Sequence, residues 1–438
     1  MQRTRRNFLA GVGAGLALAG IPGTWFNGPR FNGPWLKGMG LPAAAEEPRR
    51  PWRVEKEIFI PSRGGRGVFP GFVTYIHPKD PVLLHRFGWA DASDTYDDFH
   101  DSTSRDGGRT WSEPILRLQS RPVEGGRLRY CENAAFFDAE RNRLITIVSK
   151  FVYPKDRFDP DVPRKLEVAV RDLAQDAEPE PATIDFGLAG GITISFCFPI
   201  KTSRGTIVVP AVRPETGEDG KSLHHPRSRQ VIHDACMLIG TYGEGGALSW
   251  RVGKPLRIDP ALSSRGLSES TPVELRDGRL ALLARGSNAG MSEVPGRKWL
   301  SFSEDGGESW SAPEPLLDGD GRPVESSATG AALFRSIRTG GLTFIGNIAP
   351  EGTRADGNWP RSPLVIAEVQ ESPLRLRRET IAVIDERGPK DTPRTQISNF
   401  RYYEERSTGD VIVFATRFGE RSEREWRRAD YYRYRVGR

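Results

Sequence analysis

Acidic side chains are crowded in one short stretch of this 438-residue chain. The stretch runs from Asp94 to Asp101 and also contains Asp97 and Asp98. Carboxylates held close together repel one another, and this repulsion raises the pKa of one of them, which suits a proton donor. The pattern therefore indicates either an acid–base site or a solvated polar loop.

The three cysteines, Cys131, Cys197 and Cys236, are the other side chains that could do chemistry. Their number is odd, and their spacings match no metal-binding pattern. We expect them to be small apolar residues buried in the core. The sequence predicts no metal site and no other cofactor.

The N-terminal segment resembles an export signal rather than part of the fold. "RTRRNFLAGVGAGLALAGIPG" places Arg5 and Arg6 before an apolar run, which is typical of a twin-arginine signal. "LPAAAEE" offers a cleavage site after Ala45, so residues 1–45 are interpreted as signal and linker. An uncleaved membrane anchor is the alternative, but the run Phe8–Pro22 is short and rich in glycine. We therefore expect a periplasmic or secreted mature protein with no membrane span.

The positive charge of the chain is largely a property of this signal. The formal net charge is +6, and the signal segment carries five Lys or Arg residues and no acid, which leaves +1. A protein with so little net charge does not have the basic surface that nucleic-acid binding requires. Nucleic acid is therefore excluded as a partner.

A polar turn followed by a short apolar strand recurs along the rest of the chain. The repeat interval is about 60 to 75 residues, a further strand follows after most of the turns, and no segment has a helical period. Six units of short strands predict an all-β fold, with residues 46–438 forming a single six-bladed β-propeller. A sandwich followed by another domain fits the regular spacing less well. The turns lie near residues 80, 141, 204, 278, 341 and 409.

Two nearly identical boxes punctuate this repeat: "STSRDGGRTWSEP" at Ser102–Pro114 and "SFSEDGGESWSAP" at Ser301–Pro313. A degenerate copy lies at Gly240–Trp250. The glycine pairs suit a tight turn, and Asp106 and Asp305 can accept backbone N–H groups across it. The boxes resemble the Asp-box, or BNR repeat, of sialidase-type propellers. This resemblance implies a structural role on the face opposite the active site.

The resemblance extends to residues that do chemistry in sialidases. In "SESTPVELRDGRLALLARGSN", Ser268–Asn288, Glu269 resembles the buried general base of the family, and Arg285 resembles one of its three substrate-binding arginines. A solvated loop acid and a surface ion pair are the alternative interpretations of these two residues.

Two further positions follow from the same resemblance. Asp98 lies six residues before Ser104 of the first box, where the family has its acid/base carboxylate. In "GNWPRSPLVIAEV", Arg361 matches a second family arginine. The resemblance implies that Asp98 protonates the leaving oxygen and that Arg361 binds substrate.

Two elements of the family pattern are missing. Val68 takes the place of the arginine in the family's "R-I-P" motif, and Arg66, two residues upstream, is the nearest substitute. Phe400 occupies the position of the nucleophilic tyrosine, so we expect Tyr402 or Tyr403 to replace it. Packing of both tyrosines in a strand is the alternative.

The resemblance implies an exo-glycosidase that releases a terminal acidic sugar, such as a sialic acid, from a glycan. Clustered arginines would bind the sugar's carboxylate through bidentate hydrogen bonds. Two alternatives are a non-catalytic carbohydrate-binding propeller and a polysaccharide lyase acting on uronates. For a lyase, His233 beside Asp234, or His85 beside Arg86, would be the base.

Overall fold

The computed structural model describes residues 51–438, except residues 160 and 176. The predicted export signal, residues 1–45, lies outside the described residues. The described part folds into 26 β-strands and three short 3-10 helices, Pro154–Asp156, Glu244–Gly246 and Arg378–Thr380. In this part of the chain no helix has the length and apolar character needed to cross a membrane.

The strands form six antiparallel sheets, which we call blades 1 to 6. The first strand, β1 (Arg53–Ile60), belongs to the last blade. Blade 1 contains β2 (Val68–Tyr75), β3 (Leu83–Ala92), β4 (Thr95–Ser104) and β5 (Ile115–Leu118). Blade 2 contains β6 (Arg121–Val123), β7 (Gly126–Asp138), β8 (Arg143–Tyr153), β9 (Lys165–Asp172) and β10 (Ala182–Ile184). Blade 3 contains β11 (Ile200–Lys201), β12 (Ile207–Pro214), β13 (His233–Tyr242) and β14 (Leu248–Val252).

The remaining blades follow the same plan. Blade 4 contains β15 (Ser268–Glu274), β16 (Leu280–Arg285), β17 (Lys298–Ser303) and β18 (Glu314–Pro315). Blade 5 contains β19 (Ala331–Arg335), β20 (Leu342–Asn347), β21 (Leu364–Glu371), β22 (Leu374–Leu376) and β23 (Ala382–Asp385). Blade 6 contains β24 (Phe400–Glu404), β25 (Val411–Thr416) and β26 (Tyr431–Gly437), and β1 completes it by pairing with β26.

The six turns predicted from the sequence each lead into a central strand of a different blade, namely β3, β8, β12, β16, β20 and β25. Most of these turns contain a residue with a left-handed backbone, which glycine adopts without strain. Gly278 and Gly409, with φ of 84° and 70°, are examples.

The core lies between neighbouring blades rather than inside any one of them. Each contact between adjacent blades is filled by a cluster of buried apolar side chains, and the last cluster joins blade 6 to blade 1, so the ring is closed. Complete burial of one such side chain contributes roughly 1.5–3 kcal/mol. The predicted six-bladed β-propeller is confirmed. Facing pairs are Phe99 and Phe151, Ile147 and Val209, Met237 and Leu282, Leu283 and Phe344, Ile366 and Val413, and Phe414 and Phe87.

The two boxes connect the third and fourth strands of blades 1 and 4. Asp106 accepts hydrogen bonds from the Ser104 hydroxyl at 2.8 Å and from the Thr110 amide at 3.0 Å. Asp305 repeats these contacts with Ser303 at 2.8 Å and the Ser309 amide at 2.9 Å. Both aspartates therefore close turns, as expected. The degenerate copy lies at the equivalent place between β13 and β14. The three cysteines are free and buried, also as expected.

Candidate active site

One large cavity, of about 810 Å³, opens at the end of the sheets opposite the boxes. Most of its lining residues lie near the start of a blade's first long strand or near the end of the next strand. Because the strands are antiparallel, the connections after the third strands, where the boxes lie, are at the other end. All six blades contribute lining residues, as ligand sites of propellers require. Phe69, Glu132, His233, Glu269, Arg361 and Arg401 are one from each blade or its connections.

Glu269 and Arg285 come together on the hairpin formed by β15 and β16. Ser268 at the start of β15 pairs with Arg285 at the end of β16, and an irregularity in register follows it. Glu269 has a left-handed backbone with φ of 42°, a strained conformation that is common at functional sites. Its carboxylate accepts a hydrogen bond from Arg285 Nη1, and 19% of the side chain remains exposed. The hairpin therefore presents an arginine-bound carboxylate to the cavity.

Three arginines of the cavity lie close enough to repel one another. Arg285 Nη2 donates to Asn358 Oδ1 at 3.0 Å, and Arg361 Nη1 donates to Gln396 Oε1 at 2.9 Å. Burial, and then the charge of Arg285, lower the pKa of both Arg265 and Arg361 to about 10. So much unbalanced positive charge favours an anionic ligand.

Unused hydrogen-bond donors indicate the same kind of ligand. Within the described residues Arg361 Nε has no hydrogen-bond partner. Neither Arg265 nor Arg361 forms an ion pair with a described carboxylate, although Glu269 lies close to both. A buried guanidinium without a charged partner is costly unless a ligand supplies one. A carboxylate matches these donors in charge and geometry.

The charge state of Glu269 is set by these arginines. Burial alone raises the pKa of a carboxyl group. Here Arg285, Arg361 and Arg265 outweigh the burial and lower the pKa of Glu269 below its ordinary value. Glu269 is therefore an anion at neutral pH.

A second carboxylate–arginine pair, Glu132 and Arg401, was not predicted from the sequence. Arg401 Nη2 donates to Glu132 Oε2 at 3.2 Å, and the two residues are 269 positions apart in the chain. Burial raises the pKa of Glu132 to about 7, although Arg401 opposes the shift. A local motif does not reveal a pair whose members lie on β7 and β24. This pair adds a carboxyl group that titrates near neutral pH.

Asp98 does not line the cavity, which corrects its assignment as the proton donor. Its carboxylate accepts a hydrogen bond from the Ser120 amide at 2.9 Å, so it points towards the outer edge of blade 1. Asp94, on the turn between β3 and β4 with φ of 53°, lines the cavity instead. Counting along the sequence did not identify the member of the acidic cluster that lines the cavity, because this strand pair contains irregularities in register.

Tyr402 and Tyr403 also lie away from the cavity, which corrects their assignment as the nucleophile. The Tyr402 ring is buried between blades 5 and 6, with its centroid 4.4 Å from that of Phe334. The Tyr403 hydroxyl donates to the Gly107 carbonyl at 3.1 Å, in the box at the opposite end of blade 1. Both are packing residues.

Other tyrosines take part in the site. Tyr96 and Tyr153 line the cavity, and Tyr153 donates to the Asp94 carbonyl at 2.6 Å. Neither occupies the position that the family pattern indicated, because both lie in blades 1 and 2 rather than in blade 6.

Arg66 and His85 are absent from the cavity lining as well. Arg66 is paired with Asp97 at 3.2 Å, and 36% of its side chain is exposed. His85 is completely buried between blades 6 and 1, where its Nε2 lies 3.1 Å from the Tyr431 hydroxyl. Neither is placed to contact a ligand in the cavity. Glu269, Arg285 and Arg361 are the predicted site residues that the structure brings together, and their roles remain predictions.

A six-bladed ring with a cavity at its axis is the fold of the sialidases. The chain superimposes on the NanB sialidase of Streptococcus pneumoniae with a TM-score of 0.55 and 12% identity, covering 88% of this chain and 70% of that one. The intramolecular trans-sialidase of Ruminococcus gnavus superimposes with a TM-score of 0.56 and 12% identity, covering 86% of this chain and 96% of that one. The Hadza microbial sialidase Hz136 superimposes with a TM-score of 0.58 and 14% identity, covering 86% of this chain and 68% of that one. At these identities the likeness is one of fold.

Sequence comparison adds no relative. No protein-family model matches the chain, and no curated protein matches it. Among the described residues, no three His, Cys, Asp or Glu side chains are grouped so that they could hold a metal ion.

Proposed function

We propose that this protein is a sialidase-like exo-glycosidase that hydrolyses a terminal acidic sugar from glycans. The observation that carries the proposal is the cluster of Arg265, Arg285 and Arg361 around Glu269 at the cavity. The carboxylate of an acidic sugar supplies the negative charge and the hydrogen-bond acceptors that these guanidiniums lack.

Each group of the cluster has a distinct part in this proposal. Arg265 and Arg361 bind the sugar's carboxylate and so fix the anomeric carbon beside Glu269. Arg285 keeps Glu269 ionised and oriented. The Glu269 carboxylate stabilises the positive charge that develops on the sugar ring during cleavage, and it can accept a proton from the attacking nucleophile.

The proposal includes export through the twin-arginine pathway to the periplasm or the medium. The support is the Arg5–Arg6 pair before the apolar run. Replacing both arginines with lysine should retain the full-length chain in the cytoplasm, as measured by cell fractionation and immunoblotting. Normal export of that double variant would contradict the pathway.

A uronate lyase is the second candidate, because His233 lines the cavity and is held neutral. Burial, followed by the charges of Arg164, Arg265 and Arg285, lowers the pKa of His233 well below its ordinary value. A neutral imidazole can remove the C5 proton of a uronate, the electron pair left at C5 then forms the C4–C5 double bond, and the leaving oxygen keeps the electron pair of the broken C4–oxygen bond and takes a proton from water. Asp234 plays no part, since it pairs with Arg213 and Arg257.

A panel of aryl glycosides and oligosaccharides distinguishes these functions. Release of the aryl group or of a free sugar from a sialoside or uronide, and not from a neutral glycoside, supports the hydrolase. A product that absorbs in the ultraviolet identifies the lyase. Binding of an acidic sugar without turnover identifies a carbohydrate-binding propeller. Turnover of neutral glycosides alone contradicts the role of the arginine cluster.

A further inference from the structure

Two carboxylate–arginine pairs share the cavity, and they are built alike. Glu269 is bound to Arg285, and Glu132 is bound to Arg401. In each pair 19% of the glutamate side chain remains exposed. Both carboxyl groups can therefore reach a bound sugar while an arginine fixes their orientation.

Arg401 holds Glu132 rigidly. Its Nε donates to the Gly71 carbonyl at 2.5 Å and its Nη1 to the Phe400 carbonyl at 2.9 Å. Its guanidinium carbon lies 5.3 Å from the centroid of the Phe196 ring. Arg401 is adjacent to Phe400, the residue that replaces the family's tyrosine. The structure therefore places a fixed carboxyl group in a cavity that lacks the expected phenol.

The charges around the two glutamates differ in number. Three arginines are the strongest charges acting on Glu269, whereas at Glu132 one arginine is opposed by two carboxylates. Tyr96, Cys131 and Cys197 also lie near Glu132, and burial raises their pKa values, so they are uncharged at neutral pH. This difference separates the pKa values: that of Glu269 is lowered and that of Glu132 is raised to about 7. The arginines are Arg265, Arg285 and Arg361 for Glu269 and Arg401 for Glu132, and the carboxylates that act on Glu132 are those of Asp94 and Glu269.

We propose that Glu132 is the acid–base catalyst of the reaction, so that two carboxylates do the work without a tyrosine nucleophile. This inference rests on the proposed hydrolase function. Protonated Glu132 gives its proton to the glycosidic oxygen, which takes the electron pair of the breaking C–O bond. Water then adds to the anomeric carbon and passes a proton to Glu132, while Glu269 stabilises the cationic ring.

Asp94 is the competing proton donor, because it also lines the cavity. Asp94 is exposed and accepts a hydrogen bond from its neighbour Ser93 at 3.1 Å. It has no arginine partner among the described ion pairs. Glu132 is mostly buried and is oriented by Arg401 from another blade, and an acid catalyst needs both a shielded environment and a fixed orientation to keep and deliver its proton at neutral pH.

The test compares Glu132→Gln with Asp94→Asn over a range of pH, using one substrate with a good leaving group and one with a poor one. For Glu132→Gln we expect kcat on the natural oligosaccharide to fall by roughly 10²–10⁴-fold, and a much smaller fall on an activated aryl glycoside, which needs no acid. The ionisation near pH 7 should vanish from the profile. Glu218→Gln, in an exposed loop, should leave both substrates unaffected.

The outcomes separate the two proposals. Two results overturn the role of Glu132 alone, provided that the wild type turns over acidic glycosides. One is a pH–rate profile that is unchanged in Glu132→Gln, and the other is a leaving-group effect that appears in Asp94→Asn instead. Absence of turnover by the wild type overturns both proposals. Melting curves and binding of the free acidic sugar check that Glu132→Gln is folded. Should it fail to fold, Glu132→Asp keeps the ionisation, and lower kcat with an unchanged KM is then expected.

Discussion

The two ends of the propeller hold their carboxylates in opposite ways. At the box end, Asp106 and Asp305 are bound by hydroxyls and amides within four residues of their own positions. At the cavity end, Glu132 and Glu269 are bound by arginines, and Glu132 depends on a blade distant in the sequence. A box is thus complete within one short segment, whereas the cavity exists only when the ring is closed.

The balance of hydrogen bonds also differs between the ends. The Thr110 hydroxyl and amide lower the pKa of Asp106 to about 2, and in the same box the Trp111 indole donates to the Gly108 carbonyl at 3.0 Å, although Trp310 Nε1 in the second box has no partner among the described residues. At the cavity, Arg361 Nε has no partner among the described residues. A carboxylate with local, complete bonding is structural, and a site with unused donors is prepared for a ligand.

The largest expected effect comes from Glu269→Gln, which removes the anion of the cavity and preserves its shape. We expect kcat/KM on an acidic glycoside to fall by roughly 10²–10⁴-fold, with little change in the melting curve. Glu274→Gln is the control, because Glu274 is on the same strand at the box end and binds Ser203. Equal losses of kcat/KM in both variants would contradict the different roles of the carboxylates at the two ends of the propeller.

Arg361→Met should have the next largest effect, because it removes a donor for the sugar's carboxylate. Truncating one partner of a buried, charged hydrogen bond costs roughly 2–5 kcal/mol, so affinity should fall roughly 30-fold to several thousand-fold. Titration calorimetry with the free acidic sugar measures this loss. Arg276→Met is the control, since Arg276 is 67% exposed and paired with Glu371. Undiminished affinity in Arg361→Met contradicts the binding site.

Asp106→Ala should affect stability and not activity. Loss of the turn's acceptor should lower the free energy of unfolding by about 1–2 kcal/mol, with kcat and KM unchanged. Because the pKa of Asp106 is lowered in the folded protein, its contribution is present above pH 4 and is lost as the pH falls towards 2. Denaturant unfolding of both proteins at pH 7 and pH 3 checks this. If the unfolding free energies of the wild type and Asp106→Ala differed more at pH 3 than at pH 7, the prediction would be wrong.

The smallest effects should come from Tyr402→Phe and Tyr403→Phe. Tyr403 loses one hydrogen bond to Gly107, worth about 1 kcal/mol, whereas Tyr402 makes ring contacts only. Initial rates should match those of the wild type. Loss of turnover in Tyr402→Phe would indicate that Tyr402 takes part in the reaction and would contradict its assignment as a packing residue.

The fold was predictable because its signals are local. In the sequence, a polar turn before an apolar strand marks each blade, and the residues of each box supply the hydrogen-bond donors for its own aspartate. Glu269 and Arg285 were found for the same reason, since a single hairpin presents both. Asp98 was chosen wrongly because register irregularities in β4 decide which carboxylate faces the axis, and sequence spacing does not record them.

The remainder of the site depends on the closed ring. Tyr402 and Tyr403 fit the required residue type, but Tyr402 packs against blade 5 and Tyr403 reaches the box of blade 1. Glu132 and Arg401 meet only after blades 2 and 6 are brought to a common axis. A single sequence contains no spacing rule for such contacts.

The pairing of β1 with β26 closes the ring with strands from opposite ends of the described chain. Arg53 faces Gly437 across this strand pair, so the backbone groups that β1 turns towards β26 are satisfied only when both strands are in place. β1 is the outer strand of blade 6, and an outer strand that lacks its partner is an edge with which other chains can pair. Deletion of β26 would therefore separate β1 from β25, and the ring and its axial cavity would be left incomplete.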